Sequence, residues 1–247
     1  MTAPAFIRCE GLQKWYGGVH ALKDVTLEFG RGAEVVGLLG DNGAGKSTLI
    51  KILSGAHRPD AGRILVSGQE ARIRRPRDAM EMGIETIYQY TAMAPQMSIA
   101  RNIFIGREPV RFPFLGPLGL LDRPLMNRIA LQALRDVDLH LRSADTPVEE
   151  LSGGERQGVA IARAMHFKSR MLILDEPTNH LSLKETTKVL DYVAALREQG
   201  VSSIFISHNL HHIYPIADRM VIMARGEVVT EHARGDLTME EIARLIV

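Results

Sequence analysis

Cysteine is nearly absent: Cys9 stands alone in 247 residues, so no disulfide within the chain can staple the fold, and a reducing compartment suits it. A surplus of either charge is missing too. Thirty Lys and Arg face 29 Asp and Glu with no long block of one sign, so nothing marks a surface that coats nucleic acid. No run reaches the roughly eighteen uncharged apolar residues of a membrane helix. The start, Met1-Thr2-Ala3-Pro4, lacks the basic-then-apolar layout of a signal peptide. These absences predict a soluble, non-exported chain whose work at a membrane, if any, goes through docking onto another subunit. Long repeats, low-complexity tracts and coiled-coil heptads are also missing. The length suffices for one large domain, or a core carrying a smaller lobe.

What is present begins with Gly40-Asp41-Asn42-Gly43-Ala44-Gly45-Lys46-Ser47, which fits G-x-x-x-x-G-K-[ST]. It follows the apolar run Val35 to Leu39 and precedes the helix-like Thr48 to Leu53. A strand that runs into a glycine loop opening a helix suits a phosphate, because glycines tolerate unusual backbone angles and the helix N-terminus faces the anion. This is read as a nucleoside triphosphate site. Amides from Gly43 to Ser47 cradle the phosphates, the Lys46 ammonium bridges the β- and γ-phosphates, and the Ser47 hydroxyl holds Mg²⁺. Thr48 adds a contact near the α-phosphate.

Short strand-like segments at Phe6 to Trp15, Val25 to Phe29 and Ile64 to Val66, separated by turns, predict an antiparallel β portion. Apolar runs at Val35 to Leu39, Ile84 to Tyr88, Met171 to Leu174 and Ser203 to Ile206 read as buried strands with helices between them. The expected fold is α/β with a mainly parallel sheet. From Ser98 to Leu151 the pattern turns helical, at Ile99 to Phe104 and Pro124 to Leu139, which predicts an inserted lobe. Within it, residues 112–119 are too rich in Pro and Gly for a helix and read as a surface loop.

Each buried strand is followed by polar residues: Gln89, Asp175-Glu176 and Ser207-His208. Ligands of open parallel sheets sit beyond the carboxyl ends of strands, where the Gly40 loop also begins. Asp175 suits a carboxylate that orients Mg²⁺ through water, and Glu176 one that polarises water for attack on the γ-phosphorus. His208 suits a donor to that phosphate or a holder of the attacking water. Gln89 can reach Mg²⁺ or that water with its amide. His208, His211 and His212 also open a metal alternative, because their spacing places them on one face of a helix.

A second candidate anion site is Leu151-Ser152-Gly153-Gly154-Glu155, ahead of the periodic helix Val159 to Met165. Ser152 and Glu155 form a capping box, and the glycines are expected to leave the helix-start amides uncovered. With this segment the chain resembles the ATP-binding-cassette (ABC) ATPases. The Gly40 loop looks like their Walker A, Met171 to Glu176 their Walker B, Leu151 to Glu155 their signature, Gln89 their Q-loop and His208 their H-loop. Order and spacing agree from about Ala5 to Met223.

The resemblance implies a P-loop NTPase core with an inserted helical lobe: one domain over residues 1–247, with 1–90 and 152–247 as core and about 91–151 as lobe. It implies ATP and Mg²⁺ as cofactors, with Ser47, Gln89 and Asp175 around the metal and Glu176, His208, Gln89 and Lys46 in catalysis. Around ATP it implies the loop Gly40, Asp41, Asn42, Gly43, Ala44, Gly45, Lys46, Ser47 and Thr48. It also implies a head-to-tail homodimer in which Ser152, Gly153 and Gly154 of one copy close on the γ-phosphate held by the other. Tyr16 matches the family's adenine-stacking aromatic, with Trp15 as the alternative. One departure is visible, since Ser182 stands where the family's D-loop aspartate usually lies, which removes a charge.

Residues 40–43, 98–102 and 103–109 look similar to cassettes of bacterial carbohydrate importers. That implies peripheral placement on the cytoplasmic face of the inner membrane, integral-membrane permease partners and, indirectly, an extracytoplasmic solute-binding protein. Amino-acid or other small-solute import is the next reading. A cassette of DNA repair or translation is disfavoured, because it generally brings a coiled-coil insertion, tandem cassettes or a basic surface. The permease contact is expected along Gln89 to Met97, with Tyr90, Met93 and Met97 receiving a helix.

Overall fold

The computed structural model describes residues 4–88, 93–112 and 119–246. Gln89 and Tyr90 therefore lie outside the described residues, as does most of the 112–119 loop. In chain order the strands are β1 (Ile7–Tyr16), β2 (Val19–Phe29), β3 (Val35–Leu39), β4 (Ala61–Val66), β5 (Gln69–Ala71), β6 (Ile84–Ile87), β7 (Met171–Asp175), β8 (Ser202–Ile206), β9 (Arg219–Ala224) and β10 (Glu227–Ala233). The helices are α1 (Lys46–Leu53), α2 (Pro76–Glu81), α3 (Ile99–Phe104), α4 (Arg123–Asp136), α5 (Gly153–His166), α6 (Leu183–Glu198), α7 (Leu210–Ile213) and α8 (Met239–Ile246). By contacts the chain forms two units: residues 1–89, 169–179 and 193–247, and residues 90–168 and 180–192.

The first unit holds two sheets. One is antiparallel in the order β2-β1-β4-β5; the other runs β10-β9-β3-β8-β7-β6, parallel except for its β10-β9 edge. Strands β3 and β8 are buried along their whole length, which is why their sequences are apolar runs and not alternating patterns. Helix α1 shares one core with both sheets. Its Leu49, Ile50, Ile52 and Leu53 are fully buried beside Ile7, Leu22, Val36 and Ile204. At about 1.5–3 kcal/mol per buried aliphatic side chain, that face anchors the helix that opens from the glycine loop. Cys9 is buried in the same core, and its apolar surroundings push the thiol up to about 12.

The second unit is helical. Helices α3, α4 and α5 pack on one another through Ile103, Phe104, Ala130, Leu134 and Ile161, all buried. It extends beyond the 91–151 lobe that the resemblance implies, because α5 packs on α3 and α4 and residues 180–192 join it. Asn102 is also buried: its Oδ1 accepts the Ala94 amide at 2.8 Å while its Nδ2 donates to the Ala94, Met97 and Ser98 carbonyls. One side chain thus satisfies a turn that has no regular ladder. Among the described residues no helix is long and apolar enough to cross a membrane.

Candidate nucleotide site

The parallel register puts four strand ends on one edge. Ile87 pairs with Leu174, Asp175 with Ile206, and Leu38 with Ile206 on the other side of β8. From β3 the chain turns into the glycine loop. Gly40 has φ +144°, and a Cβ there would stand 2.1 Å from the Met223 carbonyl oxygen, so no side chain fits. Gly45 caps α1 in the left-handed region, and the Gly226 amide donates to the Ala44 carbonyl at 3.0 Å, bracing the loop from the β9–β10 turn.

The loop lines a cleft of about 360 Å³ with residues Asp41 to Thr48. Its other wall comes from Val19, His20, Ala21 and Lys23 of β2 and from Arg225. Sequence reasoning missed these wall residues, since no motif marks them; only the folding of β2 and the β9–β10 turn against the loop brings them there. Two of them, Lys23 and Arg225, are cationic, which suits an anionic ligand.

Lys46 Nζ donates to the Gly40 and Asp41 carbonyls, so its ammonium is held over the loop. Burial pulls this ammonium below the usual lysine range, while Glu176, Asp41 and Asp175 oppose that pull. Asp175 is shifted the other way. Burial and the neighbouring Glu176 raise its carboxyl above the usual aspartate value, against Lys46 and Lys51. A small hard cation beside Ser47 and Asp175 would relieve that crowding with oxygen ligands alone. Such a donor set fits Mg²⁺, which takes one or two protein oxygens and completes its shell with phosphates and water.

Glu176 leaves the strand in the left-handed region, φ +52°, held by its own amide on the Ile206 carbonyl at 3.0 Å. Its carboxylate is mostly buried and receives the His208 amide and ring Nδ1, each at 3.1 Å. His208 therefore meets Glu176, whereas the sequence alone suggests phosphate or water as its partner. A second clasp lies alongside, with His212 Nδ1 2.9 Å from the buried Thr178 hydroxyl. Asn209 Oδ1 is spent capping the His211 amide, so Asn209 Nδ2 faces His212 Nε2 at 3.1 Å. Nε2 then accepts, Nδ1 carries the proton, and the ring is neutral.

Burial, His211 and His208 lower the His212 pKa, with Glu176 opposing. A histidine that resists protonation in the fold makes stability fall as pH drops through the ordinary histidine range toward its lowered value. His212→Gln is therefore expected to lose less thermal stability than the native chain between pH 7 and 5, measured as Tm at each pH. Parallel curves would exclude the clasp. The three-histidine metal alternative fails on geometry: His208 precedes the four-residue α7, and His212 is committed to Thr178 and Asn209. Among the described residues no cluster of three His, Cys, Asp or Glu is placed to hold a metal.

Trp15 is stacked flat on His20, 4.1 Å between centroids, whereas Tyr16 meets His57 edge-on and has the Lys14 ammonium over its ring at 5.7 Å; the two aromatics are equally exposed. Tyr16 pairs with Val19, a residue of the cleft wall.

In the second unit, Ser152 caps α5 through the expected box: its Oγ accepts the Glu155 amide at 3.3 Å, and Glu155 Oε2 accepts the Ser152 amide at 2.8 Å. The helix-start amides are not uncovered, however. Gly154 N–H donates to Glu185 Oε1 at 3.2 Å. Ser182 is held by the same side chain, its amide and hydroxyl donating to Oε2 at 3.0 and 2.8 Å. The charge missing at Ser182 is present three residues later, at a position the Ser182-x-x-Glu185 capping pattern marks in the sequence.

Residues 22–179 match the family model described as ABC transporter. The chain is 41% identical over 235 residues to the xylose/arabinose import ATP-binding protein XylG of Sulfolobus acidocaldarius, covering 95% of this chain and 91% of that one. It is 43% identical to the ribose import ATP-binding protein RbsA 1 of Streptomyces avermitilis, covering all of this chain but only 45% of that protein, so it spans about half that relative's length. Among solved structures, a nucleotide-free ATP-binding cassette from an ABC transporter superposes with a TM-score of 0.82 at 24% identity, covering 98% of this chain and 95% of that one. That likeness extends to the P-loop NTPase fold, with its mainly parallel sheet, antiparallel β portion and helices. The chain belongs to the ABC transporter family and is one of its ATP-binding cassettes, an ABC ATPase.

Proposed function

We propose that this chain binds and hydrolyses ATP to energise an ABC importer of a sugar or related small solute. The observation that carries the reading is the convergence of Lys46, Asp175, Glu176 and His208 at the carboxyl ends of β3, β7 and β8, beside a cleft lined by the glycine loop. Support for a sugar comes from relatives that are named as xylose/arabinose and ribose import proteins.

In this reading the amides of Gly43, Ala44 and Gly45 and the Lys46 ammonium hold the phosphates, and Tyr16 stacks on adenine. Asn42, Asp41 and Gly40 shape the loop, and Thr48 meets the α-phosphate. Ser47 and Asp175, with Gln89, would hold Mg²⁺, which would supply charge neutralisation for the phosphates. Glu176 takes the proton from the attacking water, and His208 holds its carboxylate in place. Ser152, Gly153 and Gly154 serve the nucleotide of a second copy, so two chains pair head to tail around two ATP molecules. The whole chain works as one cassette on the cytoplasmic face of the inner membrane, attached to permease subunits through the segment 89–97, and touches the extracytoplasmic solute-binding protein only indirectly. No nucleic acid takes part.

The test is reconstitution in vesicles with a candidate permease and solute-binding protein from the same cell. ATP inside should drive uptake of a pentose and pentose should stimulate phosphate release. Uptake that is indifferent to ATP would overturn the reading.

A further inference from the structure

The Gly154 amide, one of the groups that the paired-cassette reading aims at a partner's phosphate, is already engaged with a carboxylate of its own chain: it donates to Glu185 Oε1 at 3.2 Å. The glycine makes this approach possible, since a Cβ at Gly154 would lie 3.1 Å from both Cβ and Cγ of Glu185. The second oxygen of the same carboxylate holds the amide and hydroxyl of Ser182. One side chain therefore ties the signature helix start to the turn where the family's aspartate is replaced.

We propose that Glu185 is the resident anion of the signature motif, occupying the Gly154 amide until the γ-phosphate bound on a second copy displaces it. The proposal rests on the paired-cassette reading and adds to it a latch within each chain. Glu185 is well suited to the role because the Ser182 bonds, then the Gly154 bond, hold its carboxyl down to about 2, so it stays ionised throughout the working range. A carboxylate and a phosphate cannot share one helix terminus, because like charges at that distance exclude each other. Displacement swings Glu185 off both of its attachments at once. Arrival of the phosphate at Ser152 and Gly154 thereby releases the Ser182 turn, a link between signature and D-loop that needs no aspartate at 182. Glu185 acts here as a positioning residue.

The test compares ATP-dependent dimerisation in a Glu176→Gln background, with and without Glu185→Gln, by light scattering against Mg-ATP concentration. Glutamine keeps the length and still accepts from Gly154, but loses the charge that roughly doubles such a hydrogen bond. The ATP needed for half-maximal dimer should fall about three- to tenfold. Ser182→Ala, which removes one anchor of the latch and keeps the carboxylate, should lower it by a smaller factor. A role confined to capping α6 predicts the opposite pattern, with lower Tm and an unchanged or higher ATP requirement, and that result overturns the latch. If the Glu176→Gln parent forms no dimer at saturating Mg-ATP, the paired-cassette reading itself fails and the latch with it. If the parent dimerises and Glu185→Gln needs no less ATP, only the latch fails.

Discussion

Glu176→Gln is expected to cut steady-state ATP hydrolysis by about 10²- to 10⁴-fold, the usual worth of a positioned general base, while ATP binding survives. The geometry makes this a clean substitution. Glutamine has the same shape, its Oε1 can still accept the His208 amide, and its NH₂ can donate to His208 Nδ1, so the clasp seen at 3.1 Å persists. The left-handed backbone at residue 176 is held by the Ile206 carbonyl and does not depend on the side chain. What disappears is the proton acceptor and one negative charge beside Lys46, and loss of that charge favours the incoming phosphates. Phosphate release and nucleotide binding, measured on the same preparation, check both halves. Turnover at the native rate would remove Glu176 from the base role.

Lys46→Ala has the second large effect, and it falls on binding. The ammonium is a charge in a half-buried setting, where charge-assisted hydrogen bonds contribute about 1.5–3 kcal/mol each. Its loss should weaken ATP binding by about ten- to 150-fold. Folding should be nearly untouched, because Lys46 bonds only to carbonyls of its own loop and α1 is anchored by Leu49, Ile50, Ile52 and Leu53. Isothermal titration with ATP and a thermal melt separate these effects. A large drop in Tm with unchanged affinity would mean that Lys46 braces the loop and does not grip phosphate. Lys46→Arg should rescue poorly, since a planar fork cannot reproduce a point charge in that space.

Much of the site was legible because its parts are local. A strand, glycines, Lys46 and Ser47 lie within thirteen residues, and Ser152 with Glu155 within four, so backbone geometry alone ties pattern to shape. The buried strands β3, β6, β7 and β8 were legible for a similar reason: strands covered on both faces read as apolar runs. Strands β5, β9 and β10 were not read, and β2 was read from Val25 although it begins at Val19. Strands β5 and β10 are half-exposed and carry mixed side chains, and β10 alternates too irregularly to announce a face, whereas β9 is buried from Arg219 to Met223 and is an apolar run like those that were legible.

The sequence by itself determined the family, the phosphate loop, the strand-end acids and the capped signature helix, since each is written in neighbouring residues whose spacing has one cheap backbone solution. The tertiary structure alone decided what those groups touch. It set His208 on Glu176, His212 on Thr178 and Glu185 on Gly154, and it lined the cleft with Lys23 and Arg225. The three pairs lie 32, 34 and 31 residues apart. No local preference of the chain encodes such contacts; in the first unit they exist because burial of α1 and the parallel strands brings distant turns to one edge, and in the second because helix packing brings residues 180–192 to the start of α5.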